Sequence, residues 1–149
     1  FSADCNVTEK TVNGEIYVPT FSAPVKVLGI PLKAGFTLDP VDGMTGKLDM
    51  SNTGILSIDG STAFTFVIDG VGITKRQAMP FTLNTREPVQ MPLHYQGPVS
   101  DLGNGLITFE GETTVPRMEG GPFAPIFSAI MSGPMTYHYR VFPKAPWMY

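Results

Sequence analysis

The chain has 149 residues, with 10 Lys and Arg against 13 Asp and Glu and a net charge of −3. This length fits one unit, so we predict a single domain over residues 1–149. Apart from Lys75-Arg76 the basic residues are scattered, which argues against a nucleic-acid partner. No apolar run approaches the roughly 20 residues of a membrane-spanning helix, so we expect no transmembrane segment.

Sixteen Gly and 14 Pro residues divide the chain into short segments in which apolar and polar residues alternate. Such spacing predicts short strands joined by tight turns. In the first segment, residues 12–18, we predict a type I′ turn at Asn13-Gly14, because both central residues of that turn need a positive φ. Residues 25–32 contain Pro31, which predicts a strand at an edge or bulge.

The middle of the chain has the clearest strand pattern. Residues 47–50 and 55–58 flank a four-residue loop with hairpin chemistry. Predicted turns at Asp59-Gly60 and Asp69-Gly70 bound a strand in which Phe64, Phe66 and Ile68 share one face. Further predicted strands cover residues 79–83, 89–95, 106–115, with a turn or bulge at 110–112, and 135–142, and residues 101–105 are predicted as a loop.

Residues 121–133 depart from this alternation. Their apolar residues follow a helical spacing with Gly on each side, and they are Phe123, Ile126, Phe127, Ile130 and Met131. We therefore predict nine to eleven strands and one short helix near residues 123–131. The predicted fold class is all-β, an antiparallel β-sandwich or a flattened barrel, with the helix over an open end.

The sequence contains few residues that are typical of catalytic sites. His94 and His138 are its only imidazoles, and both lie on predicted strands where every second side chain faces solvent. The sequence contains no nucleophile elbow, zinc-protease helix or phosphate-binding loop. We therefore expect the chain not to be an enzyme. A small hydrolase or isomerase using His94 or His138 with a nearby carboxylate remains an alternative.

Metal binding has one local candidate. Asp39 and Asp42 lie in the turn-like segment Asp39-Pro40-Val41-Asp42-Gly43, and calcium prefers several carboxylate and carbonyl oxygens. Asp-Gly is also ordinary turn chemistry, which is the interpretation that we prefer. We accordingly predict no metal and no cofactor.

The sequence does not determine the chemical state of its single cysteine. Cys5 has no partner within the sequence, so it is a free thiol, an intermolecular or missing-partner cysteine, or a lipid attachment site. The residues before it match a lipobox poorly. The next residues, Asn6-Val7-Thr8, form a glycosylation sequon, which would matter only in a eukaryotic host.

Two apolar segments are unusual for a chain of this composition. The segment around Phe123 and Phe127 is very apolar for a connection, and the chain ends in Trp147, Met148 and Tyr149. Terminal residues are usually loose in water unless they are tied down. We therefore name these five residues and Cys5 as candidate contacts for assembly with a second copy or with another protein.

With the strands placed, the chain resembles uncharacterised all-β domains of secreted actinobacterial proteins. The resemblance rests on residues 5–24 and on Met79-Pro80-Phe81-Thr82-Leu83 leading to Pro88-Val89. This similarity in residue pattern covers about half of the chain and includes no diagnostic motif. The second cysteine common in such domains is missing here, and the resemblance implies no functional residue.

These observations favour a secreted or cell-surface structural or adhesive β-module that is non-enzymatic and assembles with itself or a protein partner. The alternative is a carrier of a small apolar ligand, held in a β-barrel or sandwich cavity under the helix at 123–131. The low share of charged residues, 15% against about 25% in ordinary domains, favours the extracellular location.

Overall fold

The computed structural model describes residues 2–72, 79–105 and 107–141. Within these residues every strand pairing is antiparallel. The elements are β1 (Ser2–Asn6), β2 (Thr11–Glu15), β3 (Phe21–Val27), β4 (Ile30–Met50), β5 (Ile55–Gly72), β6 (Met79–Thr85), β7 (Val89–Pro98), α1 (Ser100–Asn104), β8 (Ile107–Val115), β9 (Met118–Glu119), α2 (Ala124–Met131) and β10 (Gly133–Val141).

The ten strands of the described residues form one sheet, whose main path runs β1-β2-β4-β5-β7-β8-β10. The long strands β4 and β5 pair along nearly their whole length and belong to two lobes. The large lobe contains β1, β2, β7, β8, β10 and the paired segments 44–50 and 55–64. The small lobe contains β3, β6, β9, α2 and the paired segments 30–37 and 67–72.

Each lobe has its own apolar core. The core of the large lobe includes Phe64, Phe109 and Met44, all of which are almost fully buried. The core of the small lobe includes Ile68 and Leu83 from the sheet and Ala124 and Phe127 from α2. The predicted face of residues 63–69 is confirmed, because Phe64, Phe66 and Ile68 are all buried, although Ile68 lies in the second core.

Strand β4 bends between the lobes at three shifts of register with β5, which fall between residues 34 and 45. Bulges of this kind increase strand twist and allow so long a strand to curve. Within the described residues, positions 37–43 of β4 pair with β5 alone, since β3 ends its pairing at Phe36 and β2 begins at Met44. Pro40 lies in this stretch, where a missing backbone N–H does not interrupt a second ladder.

The all-β antiparallel fold and the helix at 123–131 are confirmed, but the barrel alternative is wrong. Strands β1 and β10 end the main path and do not pair with each other. The prediction of a loop over residues 101–105 is wrong for residues 101–104, which belong to the short helix α1. The helix is followed by Gly105 in a left-handed conformation.

Several predicted turns are continuous strand instead. Asn13-Gly14 lies inside β2, and the turn before it is formed where the Asn6 Oδ1 accepts hydrogen bonds from the N–H groups of Thr8 and Glu9. Both Asp-Gly pairs lie inside β5. The segment 110–112 lies inside β8, where Gly111 leaves room for the ring of Tyr137 on β10.

Residues 25–32 form the tip of a hairpin rather than one strand. Val27 of β3 pairs with Ile30 of β4, and the two residues between them, Leu28 and Gly29, have φ values of 51° and 82°. These positive values are the hallmark of a type I′ turn. The prediction of an edge strand is nevertheless confirmed for β3, which pairs only with β4.

Glycines 46 and 60 explain why one Asp-Gly pair lies in a strand. Gly46 of β4 is opposite Gly60 of β5. A Cβ added at Gly46 would come within 2.6 Å of both the Gly60 Cα and the Asp59 backbone oxygen. These glycines therefore permit a close backbone approach rather than a turn.

We predict that Gly46→Ala destabilises the protein by about 1–3 kcal/mol, because the new methyl group would meet backbone atoms that cannot move aside. Urea unfolding measures the change. The matched control is Gly103→Ala in α1, where a Cβ meets nothing within 4 Å and the higher helix propensity of Ala stabilises by up to about 1 kcal/mol. Equal stability of Gly46→Ala and the wild type would contradict the close approach.

Candidate functional site

A row of five charged or titratable side chains crosses the exposed face of the large lobe. Its members come from five strands in register and are Lys47, Asp59, His94, Glu110 and His138. Each is exposed to solvent. Residues directly opposite each other on neighbouring strands have Cβ atoms about 4.5–5.5 Å apart. We call this set the charge row, in which basic and acidic groups alternate.

Two contacts within the charge row are close. The His94 Nδ1 lies 2.5 Å from the Asp59 Oδ1, and the His138 Nδ1 lies 3.4 Å from the Glu110 Oε2. The first of these distances is that of a hydrogen bond between the imidazole of His94 and the carboxylate of Asp59.

The surroundings of these pairs limit what they can do chemically. Between 61% and 70% of each side chain is exposed, so water and salt weaken the attraction within the pairs. A shallow depression borders Lys47, Asp59 and His94. The structure thus brings each histidine to a carboxylate on an open surface, whereas general acid–base catalysts usually have their pKa tuned by burial and neighbouring charges.

The second feature of the large lobe is its open edge, by which we mean the side of β10 that faces away from β8. In the described part of the chain, the nine residues of β10 pair with β8 alone. The Tyr139 hydroxyl donates a hydrogen bond of 3.2 Å to the backbone oxygen of Tyr17, beyond the end of β2. This side-chain contact bridges the gap that a barrel would close with a ladder of backbone hydrogen bonds.

Tyrosine side chains hold β10 in place from its inner side. The Tyr137 hydroxyl donates to the backbone oxygen of Pro92 on β7, and so reaches across β8. Burial raises the pKa of both Tyr137 and Tyr139 above the usual value of a phenol. Both side chains therefore stay neutral donors, and they fix β10 without using its outer backbone groups.

Of the six assembly residues predicted from the sequence, three lie among the described residues. Phe127 is 2% exposed and its ring centroid lies 5.8 Å from that of Phe81, which places it in the core of the small lobe. Phe123 is half-buried, with its centroid 5.3 Å from that of Phe81. Trp147, Met148 and Tyr149 lie outside the described residues.

Cys5 is an exposed residue on the edge strand β1. Partial burial of its thiol, and secondarily the negative charge of Asp4, raise the pKa of Cys5 above the usual value. The thiolate is the reactive form of cysteine, so both effects slow the reactions of this thiol at neutral pH.

A groove lies beside α2 in the small lobe. It has a volume of about 480 Å³ and runs between Ala124 and Ser128 of the helix and the side chains of Arg86, Arg117 and Glu119. Arg86 pairs with Glu119 across 3.5 Å. Since α2 packs its own aromatic ring into the core, this groove lies beside the helix and not beneath it.

Within residues 2–72, 79–105 and 107–141, no group of three or more His, Cys, Asp and Glu could hold a metal ion. In the same residues, no helix is long and apolar enough to cross a membrane. Asp39 and Asp42, the calcium candidates, lie within β4 and not in a loop.

No family model matches this sequence, and no curated protein or solved structure shows significant similarity to it. The resemblance to secreted actinobacterial domains therefore stays a prediction. The charge row could not be read from the sequence, because its five members are separated along the chain and meet only through strand register.

We predict that Asp59 and His94 are coupled in their effect on folding, because their side chains meet at 2.5 Å on neighbouring strands. A double-mutant cycle with Asp59→Ala and His94→Ala, measured by urea unfolding at neutral pH, should give a coupling of about 0.2–1 kcal/mol. Additive effects of the two substitutions would contradict the contact.

The exposed pair Lys10 and Asp49, whose Nζ and Oδ1 atoms are 2.8 Å apart, is the matched control. Their hydrogen bond raises the pKa of Lys10 and lowers the pKa of Asp49. The Asp49 contribution is lost only as pH falls through its lowered pKa, and the Lys10 contribution only as pH rises through its raised pKa. A double-mutant cycle on Lys10 and Asp49 should therefore give the same coupling at about pH 5.5 and at about pH 8.

We predict that Cys5 is alkylated by iodoacetamide more slowly at neutral pH than an ordinary exposed thiol, because its pKa is raised. The comparison is the double variant Cys5→Ser/Val7→Cys, since Val7 is exposed in the adjacent turn. The rate for Cys5 should also rise at higher pH than the rate for the reference thiol. A Cys5 rate above that of the reference would contradict the raised pKa.

Proposed function

We propose that the chain is a non-enzymatic structural or adhesive β-module that assembles with itself or with a protein partner by adding a strand at the open edge. The observation that carries this proposal is that, within residues 2–72, 79–105 and 107–141, the nine residues of β10 pair on one side only. Unpaired strand edges are templates for another strand, and strand addition is an established mode of protein assembly. We also propose that the module is secreted or displayed at a cell surface.

The composition of β10 supports this use of its edge. Proteins that prevent edge pairing place Pro, charged side chains (especially Lys) or inward-pointing charges on the edge strand. In β10, Pro134 removes one backbone donor near the start, while residues 135–141 contain neither Pro nor Lys and carry one permanently charged side chain, Arg140. The segment that ends in the candidate contact residues Trp147, Met148 and Tyr149 follows β10 directly in the sequence.

A second copy of the chain is the partner that the edge fits most directly. Two β10 strands related by a two-fold axis would pair antiparallel, which gives a closed dimer. With the axis at His138, Tyr137 of one copy lies opposite Tyr139 of the other, and Arg140 lies opposite Thr136. Aromatic cross-strand pairs are stabilising, and this register places no two arginines opposite each other.

The edge is tested by Thr136→Lys, which adds a charge to the exposed face of β10. Glu112 lies directly opposite on β8, so the new lysine gains a favourable neighbour within the sheet and folding should be preserved. The matched control is Gln90→Lys, an exposed position on the interior strand β7 opposite Ala63. Light scattering after gel filtration gives the mass of each variant.

We predict that the wild type and Gln90→Lys have a mass that is a multiple of the chain mass, and that Thr136→Lys shifts towards the monomer. A wild type that is monomeric at every concentration would rule out assembly with itself. A multimer that is unaffected by Thr136→Lys would show that assembly uses another surface.

A further inference from the structure

The tip of the hairpin formed by β3 and β4 carries an unusual residue for its backbone shape. Leu28 has a φ of 51°, a region in which Asn, Asp and Gly are favoured and bulky residues are strained. Its side chain is 85% exposed, so little packing offsets this cost. Strained residues of this kind concentrate at functional sites.

The apolar character of the tip continues down one face of the hairpin. Ile30 is 57% exposed and lies opposite Val27. Val25 and Leu32 form the next pair on that face and pack against the core of the small lobe. The result is an apolar strip that begins in the core and ends in two solvent-exposed side chains at the projecting end of the hairpin.

The other face of the hairpin is basic. Lys26 and Lys33 lie opposite Pro31 and Pro24 and are exposed. The segment from residue 21 to residue 38 contains these two lysines and no Asp or Glu, although the whole chain has a charge of −3. Asp69 of the neighbouring strand lies near Gly35, at the base of the hairpin and away from its tip.

We propose that this hairpin tip docks on a membrane surface with anionic lipid headgroups. Leu28 and Ile30 enter the boundary between headgroups and acyl chains, which interfacial segments reach at a depth of about 5–10 Å. Lys26 and Lys33 stand one and three residue pairs below the tip, which is about 3 and 10 Å along the strands. Their ammonium groups can therefore reach the phosphates while the apolar tip is inserted.

A lipid surface fits this tip better than a protein does. Stable protein interfaces bury at least about 1,200 Å² in total with a broad apolar centre. The tip offers two fully projecting apolar side chains on a narrow turn with two cations behind them. This arrangement has charge complementarity to an anionic bilayer and needs no matching pocket.

The test is flotation of the purified protein with phosphatidylcholine vesicles, with and without phosphatidylserine. We expect binding to the anionic vesicles and little binding to the zwitterionic ones. Leu28→Asn should weaken binding by about tenfold or more, because one buried leucine is lost from the contact. The melting temperature of this variant should be unchanged or higher, since Asn suits the type I′ turn.

Two further variants separate the contributions. Lys26→Gln/Lys33→Gln should reduce binding to anionic vesicles towards the level seen with phosphatidylcholine alone. Val7→Asn, which removes an exposed apolar side chain from the turn between β1 and β2, should bind like the wild type. Absence of binding to anionic vesicles, or equal binding by Leu28→Asn, would overturn the proposal. A change in oligomeric mass on Leu28→Asn without vesicle binding would identify the tip as a protein contact instead.

Discussion

The long antiparallel pairing of β4 with β5 is the contact on which the rest of the sheet depends. Every other strand of the described residues except β1, β8, β9 and β10 pairs directly with one of these two. The pairing runs through both lobes, so the two cores cannot form independently of it. Gly46 and Gly60 allow the close backbone approach in the large lobe, and the bulges between residues 34 and 45 let β4 turn from one core to the other.

Both surfaces to which we assign a proposed function, the open edge and the hairpin tip, follow from this arrangement. The register of β4, β5 and β7 places Lys47, Asp59 and His94 in one line, and the continuation of that line across β8 and β10 completes the charge row. The same long strand β4 extends beyond the large lobe to form the projecting hairpin with β3. The open edge and the hairpin tip therefore belong to different lobes of one sheet.

Sequence patterns predicted the elements that depend on local periodicity. The two-residue alternation identified the buried face of residues 64, 66 and 68, and the helical spacing identified α2. Turn-forming residue pairs gave wrong predictions where a glycine instead allows two strand backbones to approach closely. Asp59-Gly60 has the composition of a turn, but Gly60 lies opposite Gly46, and no local signal reveals which glycine faces another backbone.

The charge row and the open edge could not be predicted for a related reason. Both depend on which strands are neighbours and in what register, and that information is non-local. His94 and His138 were recognised as candidates together with an unspecified carboxylate, whereas the identity of Asp59 and Glu110 as partners required the pairing itself. The hairpin tip was missed because residues 25–32 alternate as a strand would, while a leucine occupies the turn position that Asn or Gly normally marks.

Folding stability alone does not explain two features of the chain, namely Leu28 at the hairpin tip and the lack of a lysine in residues 135–141 of β10. A polar residue at position 28 would relieve the strained backbone and remove an exposed apolar side chain, and a lysine on the outer face of β10 would protect its open edge. In the core, by contrast, local preference and packing agree, as the fully buried Phe64 and Phe109 show. Departures from local consistency are expected at functional sites, and in this chain they fall on the tip of the hairpin and on the open edge of β10.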